Sequence, residues 1–321
     1  NRTEARTAMS NSVITNASAL VALQNLNATN SKLAATQSRV NTGLKVQGAR
    51  DNAATWAVAQ NQRADMNALE SVKTSLNRAT SIADVALAAG QQISDILVEL
   101  RQKATAAADP SASDATRKAY NDEFQSLLKS LQSFADNAAF DGENILNGKV
   151  GGTRPATPAG LTPLNFLANA DASETITMNR QDMTLEGLGL NNVFGGTPGN
   201  NGPDGVPGGG DDVAAVPGTA APSLLTEANA TEVLAAVETA LATANSRLAE
   251  LGAQSKQIEK HTQFVTKLMD SLEVGVGNLV DADMARESAR LQALQVQQQL
   301  GAQALSIANQ APQVILSLFK G

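Results

Sequence analysis

Apolar residues recur at alternating spacings of three and four along much of the chain, which is the pattern of a single helix face. One run extends over residues 69–104, a second over 120–138 and the longest over 234–279. A repeat of about 3.5 residues sustained over so many turns is typical of a coiled-coil seam. We therefore predict long helices that pack along one another in a rod. The residues expected in the rod seam are Leu69, Val72, Leu76, Ile93, Leu97, Leu100, Leu241, Leu248, Leu251, Ile258, Val265 and Leu272.

The two ends of the chain also have a helical pattern, but they carry no charge over long stretches. No charged residue occurs between Thr7 and Ser31 or between Leu291 and Phe319. A solvated helix face usually carries charge, so faces of Gln, Asn and Ser indicate burial against other polar faces. The C-terminal stretch is too polar to span a bilayer, because a transmembrane helix needs about twenty predominantly apolar residues.

We expect both uncharged ends to pack against partners in an assembly. The C-terminal seam, which includes Leu294 and Leu305, is then expected to be exposed or disordered in a single copy. The alternative, that the two ends pack on each other within one chain, stays open. The residues expected to pack in the assembly are Val13, Leu20, Leu23, Leu26, Leu291, Leu294, Leu305, Ala308 and Ile315.

The middle of the chain has a different composition. Sixteen of the 24 glycines and eight of the ten prolines lie between Asp141 and Pro222, so the helices end there. Within this segment, residues 174–190 alternate enough for one or two short strands, and residues 195–212 form a low-complexity loop. The fold predicted is mainly α, a coiled-coil helical rod built from the N- and C-terminal segments with a small, irregular, β-containing central domain.

Five segments follow from these patterns. They are an N-terminal helix (1–44), N-terminal rod helices (45–140), a central domain (141–222), a C-terminal rod helix (223–280) and a C-terminal helix (281–321). A turn at residues 109–114, with Pro110 and a candidate N-cap at Ser113, divides the second segment and allows an antiparallel return.

Composition and charge exclude several classes of function. The net charge of −7 gives no electrostatic basis for binding nucleic acid. The chain has no cysteine and one histidine, His261, so neither a thiolate metal site nor a Cys nucleophile is predicted. Asp204, Asp211 and Asp212 do not have the spacing of a calcium loop. We expect no catalytic, cofactor-binding or metal-binding residue, and no apolar signal segment follows the N-terminus.

Two stretches resemble bacterial flagellin. Residues 39–62 read RVNTGLKVQGARDNAATWAVAQNQ, which resembles the flagellin pattern of Arg, an apolar residue, a small-polar pair, Gly, Leu and a basic residue, followed by Ala-basic-Asp-Asn/Asp-Ala-Ala. Residues 287–319, ESARLQALQVQQQLGAQALSIANQAPQVILSLF, are similar to the flagellin ending along almost their whole length. The resemblance covers residues 9–148 and 224–321, so residues 1–8 precede it. The Ala-rich, aromatic-poor character is similar to that of alphaproteobacterial flagellins.

The resemblance implies a structural subunit that polymerises into the flagellar filament used for swimming. The terminal helices would build the inner layer of the filament, and the central domain would face the medium. Family members leave the cell through the flagellar type III route without a cleaved signal peptide. The implied partners are other copies of the chain, paralogous flagellins, an export chaperone, the filament cap and the hook-junction proteins.

Two other functions stay open at this point. One is a flagellin-like surface protein that binds a glycan or a host surface, and the other is a hook–filament junction protein. A glycan site needs aromatic platforms, and residues 141–222 contain only Phe166 and Phe194. A junction protein would not be expected to match the flagellin ending so closely.

Overall fold

The computed structural model describes residues 16–155, 160–191 and 222–318, with side chains to residue 310. Five helices lie in these ranges: α1 (Ala17–Thr42), α2 (Ala53–Ala107), α3 (Asp114–Asn137), α4 (Glu227–Val280) and α5 (Met284–Leu318). The described strands are short: β1 (Ala139–Phe140), β2 (Glu143–Asn144), β3 (Leu164–Leu167) and β4 (Thr175–Met178). The fold is mainly α with a few short strands, as the sequence predicted.

The chain divides into two compact units. Unit 1 comprises Asn1–Asp65 and Asp270–Gly321, and unit 2 comprises Met66–Met269. Helices α2 and α4 therefore contribute residues to both units. None of the described helices has the length and hydropathy that crossing a bilayer requires.

Unit 2 contains a densely packed helical core. The six rod-seam residues of α2 are at most 4% exposed, and Phe124 and Leu131 of α3 are fully buried. On α4, Leu251, Ile258 and Val265 are at most 1% exposed, whereas Leu241 and Leu248 are half-buried. Gly90 of α2 lies so close to Leu248 that a Cβ atom at this position would clash with the leucine side chain. The last rod-seam residue, Leu272, is half-buried and belongs to unit 1.

Helix α4 buries a wider face than the predicted seam. Besides the seam, Val233 and Ala240 are fully buried, and the same flank continues through Arg247, Gln254 and His261. These three polar residues hydrogen-bond to the central segment of unit 2. Apolar periodicity identifies only one flank of this helix, because the other flank becomes polar along its length.

The turn between α2 and α3 has the predicted chemistry. The Ser113 hydroxyl accepts a hydrogen bond of 3.2 Å from the Thr116 amide, so Ser113 is the N-cap of α3. The Arg117 side chain donates to the carbonyls of Ala107 and Asp109, at 3.0 and 2.8 Å. These bonds satisfy acceptors that the end of α2 leaves open and fix the reversal of the chain.

The strands form two separate two-stranded antiparallel sheets. Strands β1 and β2 are joined by Asp141 and Gly142, whose φ angles of +52° and +78° fit a tight hairpin turn. Strands β3 and β4 pair from Leu164–Met178 to Leu167–Thr175. Strand β4 falls within the stretch predicted to contain strands, while its partner β3 precedes that stretch. The Gly-rich loop predicted at residues 195–212 lies outside the described residues.

Candidate assembly interface

Unit 1 is built around an antiparallel pair of helices, α1 and α5. Contacts between them are distributed along both helices: Asn16 donates to the Ala308 carbonyl at 2.6 Å, and Gln298 donates to the Asn30 side chain at 2.8 Å. At the other end, the Ala282 amide donates to the Gly43 carbonyl at 2.8 Å. As the position along α1 rises from residue 16 to residue 43, the position of its partner on the α5 side falls from residue 308 to residue 282. The two helices therefore pair in one continuous register.

The end of α1 and the start of α5 are joined by the connecting loops. Gly43 ends α1 in a left-handed conformation, with φ of +72°. Beyond it, the amides of Lys45 and Val46 donate to the Val280 carbonyl at 2.6 and 3.3 Å. The Asp283 carboxylate accepts from the Arg286 amide at 3.1 Å and begins α5.

An ion pair lies beside this junction. Arg39 Nη1 is 3.6 Å from Glu287 Oε1, and Glu287 is 9% exposed. Among the described residues, the second carboxylate oxygen of Glu287 is buried without a hydrogen-bond partner. The pair joins the last turn of α1 to the first turn of α5.

The surface between the two helices is small and only partly apolar. Leu33 and Leu294 are 8% and 6% exposed, and Thr29 and Thr36 are also buried. A Cβ atom on Gly301 would be 3.2 Å from Leu26 Cδ1, so the backbone of α5 approaches α1 closely there. The expectation that the C-terminal seam is exposed in a single copy is therefore wrong for Leu294. The seam packs on α1 of the same chain, as the alternative that the sequence left open requires.

The outward faces of the same helices expose large apolar side chains. Their exposed fractions range from 42% for Leu23 to 69% for Ile307. An open groove of about 730 Å³ runs between α1 and α5, and of the described residues that line it, Lys32 alone is charged. The exposed residues are Leu20, Val21, Leu23, Val296, Leu300 and Ile307, which we call the outer apolar face.

The residues predicted to pack in an assembly occupy several environments. Leu20 and Leu23 belong to the outer apolar face, and Leu294 is buried. Val13 lies outside the described residues, as does the side chain of Ile315. The remaining four, which are Leu26, Leu291, Leu305 and Ala308, are half-buried.

Sequence analysis did not select four members of the outer apolar face. Val296, Leu300 and Ile307 are spaced by four and seven residues, so they mark a second helical stripe on α5. Val21 is adjacent to the predicted Leu20 on α1. The second stripe is visible in the sequence, but the first stripe alone satisfies the helical period, so periodicity does not distinguish the two.

Comparison with known families identifies the chain. Residues 13–150 match the bacterial flagellin N-terminal helical region, and residues 234–319 match the bacterial flagellin C-terminal helical region. The chain belongs to the flagellin family. It is a structural subunit of the bacterial flagellar filament, which acts outside the cell in motility.

This flagellin is similar to flagellins of alphaproteobacteria. It is 44% identical to "Flagellin FljM" of Caulobacter vibrioides, over 97% of this chain and 99% of the relative. It is 38% identical to "Flagellin" of Brucella melitensis, over 97% and 99% of the two chains. The recognition of an alphaproteobacterial-like flagellin is thus confirmed, and so is polymerisation with itself and with paralogous flagellins.

Solved structures give a weaker likeness to this flagellin. The crystal structure of Bacillus cereus flagellin covers 60% of this chain and 88% of its own chain, with a TM-score of 0.44 and 17% identity. The structure of FliC from Burkholderia pseudomallei covers 55% and 98%, with a TM-score of 0.39 and 16% identity.

Proposed function

We propose that this flagellin polymerises through the outer apolar face of α1 and α5, and that these helices form the inner layer of the filament. The observation that supports this most directly is the exposure of six large apolar side chains on helices that carry almost no charge. An exposed apolar patch of this kind is typical of a surface that another protein covers.

The size of the outer apolar face fits a polymer contact. Burying a large aliphatic side chain contributes about 1.5–3 kcal/mol. Since the six residues are already roughly half covered, their complete burial contributes on the order of 5–10 kcal/mol per subunit. Association costs an estimated 4–15 kcal/mol in lost translational and rotational freedom. One such contact is therefore weak, and a stable product requires each copy to contact several others.

The other predicted segments take different roles in this proposal. The rod seam, from Leu69 to Leu272, holds the long helices of one copy together and does not contact other copies. The rod segments 45–140 and 223–280 surround the inner layer formed by the end segments 1–44 and 281–321. The central segment 141–222 faces the medium. Its attachment to α4 within unit 2 supports a separate, outward placement because it leaves α1 and α5 free for assembly.

Export by the flagellar type III route is the remaining part of the proposal. Passage through that route requires an unfolded chain. Because the surface buried between α1 and α5 is small, unfolding these two helices costs little free energy. The export chaperone, the filament cap and the hook-junction proteins are partners that the family resemblance implies. Deleting the flagellar export apparatus in the parent bacterium should remove the chain from the culture medium and leave its synthesis intact. Secretion that continued in the deletion strain would exclude this route.

Polymerisation itself is tested with the purified chain. We expect short filament seeds to convert the monomer into filaments that sediment and are visible by electron microscopy. A chain that stayed monomeric with intact seeds would favour a surface binding protein or a junction protein. No observation on the described residues favours either alternative.

A further inference from the structure

Helix α4 holds the central segment of unit 2 through a line of polar side chains. Gln254 Oε1 accepts from the Asn179 amide at 3.0 Å, and Glu250 accepts from the side chains of Asn179 and Gln181. His261 Nε2 is 2.6 Å from the Ala168 carbonyl oxygen. These contacts account for three of the polar residues on this face of α4. The fourth, Arg247, is in a different position.

Arg247 lies at a cavity of about 350 Å³ inside unit 2. Two other arginines, Arg154 and Arg180, line the same cavity, together with Asp182 and Glu186. Arg154 bonds to Asp182 and lies 3.2 Å from Glu186. Both acidic groups that line the cavity are therefore already paired with one guanidinium.

The remaining two guanidiniums differ in their partners. Arg180 forms an ion pair with Glu143 at 2.6 Å and donates to two backbone carbonyls. Within the described part of the chain, the hydrogen bonds of Arg247 go to carbonyls alone, those of Asp182 and Gly187, and both bonds use the same nitrogen, Nη1. Among the described residues, no carboxylate lies within ion-pair distance of Arg247. Its charge is half-buried and unpaired.

The electrostatic environment of Arg247 disfavours its charge. Burial lowers its pKa, and the nearby Arg154 guanidinium lowers the pKa further, while the carboxylate of Asp182 acts in the opposite direction. Three arginines line the cavity, and the three acids beside them, Asp182, Glu186 and Glu143, pair with Arg154 and Arg180 and not with Arg247. A guanidinium offers donors in a planar fork that suits carboxylate, phosphate and sulfate groups.

We propose that this cavity binds a small oxyanion, which Arg247 holds through the guanidinium nitrogens that do not bond to the Asp182 and Gly187 carbonyls. The bound anion would compensate the charge of Arg247 and reduce its repulsion from the Arg154 guanidinium. A Cβ atom at Gly148 or Gly187 would collide with the Asp182 carboxylate, so the backbone at both positions packs closely against that residue. The chemistry is shared by sulfate, phosphate and carboxylate groups, including the carboxylate of an acidic sugar.

Titration calorimetry on the monomeric full-length chain tests the site. Sodium sulfate and sodium acetate are the probes, with sodium chloride at the same ionic strength as the reference. We expect saturable binding of one oxyanion per chain, together with shifts of the amide resonances of Gly187 and Arg247. The two probes distinguish a tetrahedral site from a carboxylate site. An equal response to all three salts would overturn the proposal.

Two variants change the cavity charge in opposite directions. Arg247→Gln should weaken binding roughly tenfold or more, as expected for the loss of a charge-assisted hydrogen bond. Because Arg247 also holds two carbonyls, this variant could lose affinity through misfolding. Glu186→Gln avoids that ambiguity, since Glu186 is largely exposed and its removal leaves the cavity more positive. We expect Glu186→Gln to tighten binding several-fold.

A matched control excludes a general charge effect. Glu238→Gln makes the same substitution in an exposed ion pair, in which Glu238 Oε1 is 3.2 Å from Arg101 and does not line the cavity. Oxyanion affinity should be unchanged in this variant. If Glu186→Gln and Glu238→Gln altered the affinity equally, or if neither Glu186→Gln nor Arg247→Gln altered it, Arg247 would serve only to hold the central segment.

Discussion

The two units of this flagellin bury their apolar residues to very different degrees. Among the described residues, unit 1 buries six apolar side chains, and all other buried apolar side chains belong to unit 2. Unit 1 nevertheless exposes nine large apolar side chains, against five in unit 2. The six buried residues of unit 1 are Leu33, Val46, Ala59, Val276, Val280 and Leu294.

This difference separates two tasks that the chain performs. Unit 2 can reach a stable fold within one copy because its helices share a continuous core. Unit 1 pairs α1 with α5 through a thin surface and leaves much of its apolar area in water. In the proposed assembly, the stability that unit 1 lacks as a monomer would come from other copies that cover the outer apolar face. Weak local structure in the monomer would then be a consequence of keeping this interface free.

The largest expected contrast is between adjacent residues of unit 2. Leu97 is fully buried, so Leu97→Ala should lower the free energy of unfolding by about 2–5 kcal/mol. Val98 is 54% exposed, and Val98→Ala should stay within about 0.5 kcal/mol. Urea unfolding of the monomer, followed by circular dichroism, measures both. Similar losses in the two variants would show that the core of unit 2 is not as dense as the structure indicates.

Hydrogen exchange compares the two units within one molecule. In the monomer, amides of α1 and α5 should exchange roughly a hundredfold or more faster than those of the fully buried helices of unit 2, because local stability follows buried contacts. Mass spectrometry of a verified monomer measures the rates. Equal protection would mean that the α1–α5 pair is stable by itself and needs no further copies.

Glycine-to-alanine substitutions test how tightly the helices of unit 2 are packed. Gly90→Ala should destabilise by about 1–3 kcal/mol because Gly90 is buried and its Cβ would overlap the Leu248 side chain much more deeply than a Cβ at Gly301 overlaps Leu26. Gly252→Ala on α4 meets nothing within 4 Å and should stabilise by up to about 1 kcal/mol. Thermal unfolding of the monomer gives both values.

The smallest effect is expected at Gly301 in unit 1. A Cβ there would be 3.2 Å from Leu26 Cδ1, but Leu26 is half-buried and has room to move. In Gly301→Ala, the stability gained from helix propensity should nearly offset the stability lost to crowding. The free energy of unfolding should therefore change by less than about 0.5 kcal/mol. A loss comparable to that of Gly90→Ala would show that α1 and α5 pack as tightly as the core of unit 2.

The sequence predicted the fold class and the seam of α2 because almost every seam position of that helix is apolar. Two other seams were harder to recognise. On α1, Thr29 and Thr36 occupy buried positions, and the Thr29 hydroxyl donates to the Asn25 carbonyl of its own helix at 2.9 Å. A threonine whose hydroxyl is hydrogen-bonded in this way can pack through its methyl group. Such a residue is not recognised as a core position when only apolar residues are counted.

On α4, the second flank was hidden by its chemistry. Arg247, Gln254 and His261 lie at core-facing positions because the central segment supplies carbonyls and amides for them to bind. Only the tertiary structure brings those groups together. For the candidate interface, the sequence predicted that the terminal helices assemble, but it did not distinguish the two apolar stripes of α5, one of which packs on α1 within the chain.

The position of Leu305 decides which substitution is informative. Leu305 is half-buried, so Leu305→Lys would disturb the monomer as well as any assembly. Leu300 on the outer apolar face is 59% exposed, and Leu225 of unit 2 is 50% exposed. Leu300→Lys and Leu225→Lys are therefore matched in residue type, charge change and exposure. Both monomers should fold normally by circular dichroism.

Seeded polymerisation of these two variants, measured by sedimentation, is the most direct test of the outer apolar face. In a filament, Leu300→Lys would bury an unpaired ammonium group at every subunit, at a cost of several kcal/mol each. We predict that Leu300→Lys remains in the supernatant while Leu225→Lys pellets like the unmodified chain. A normal filament yield from Leu300→Lys would contradict the claim that copies of this flagellin assemble through the exposed faces of α1 and α5.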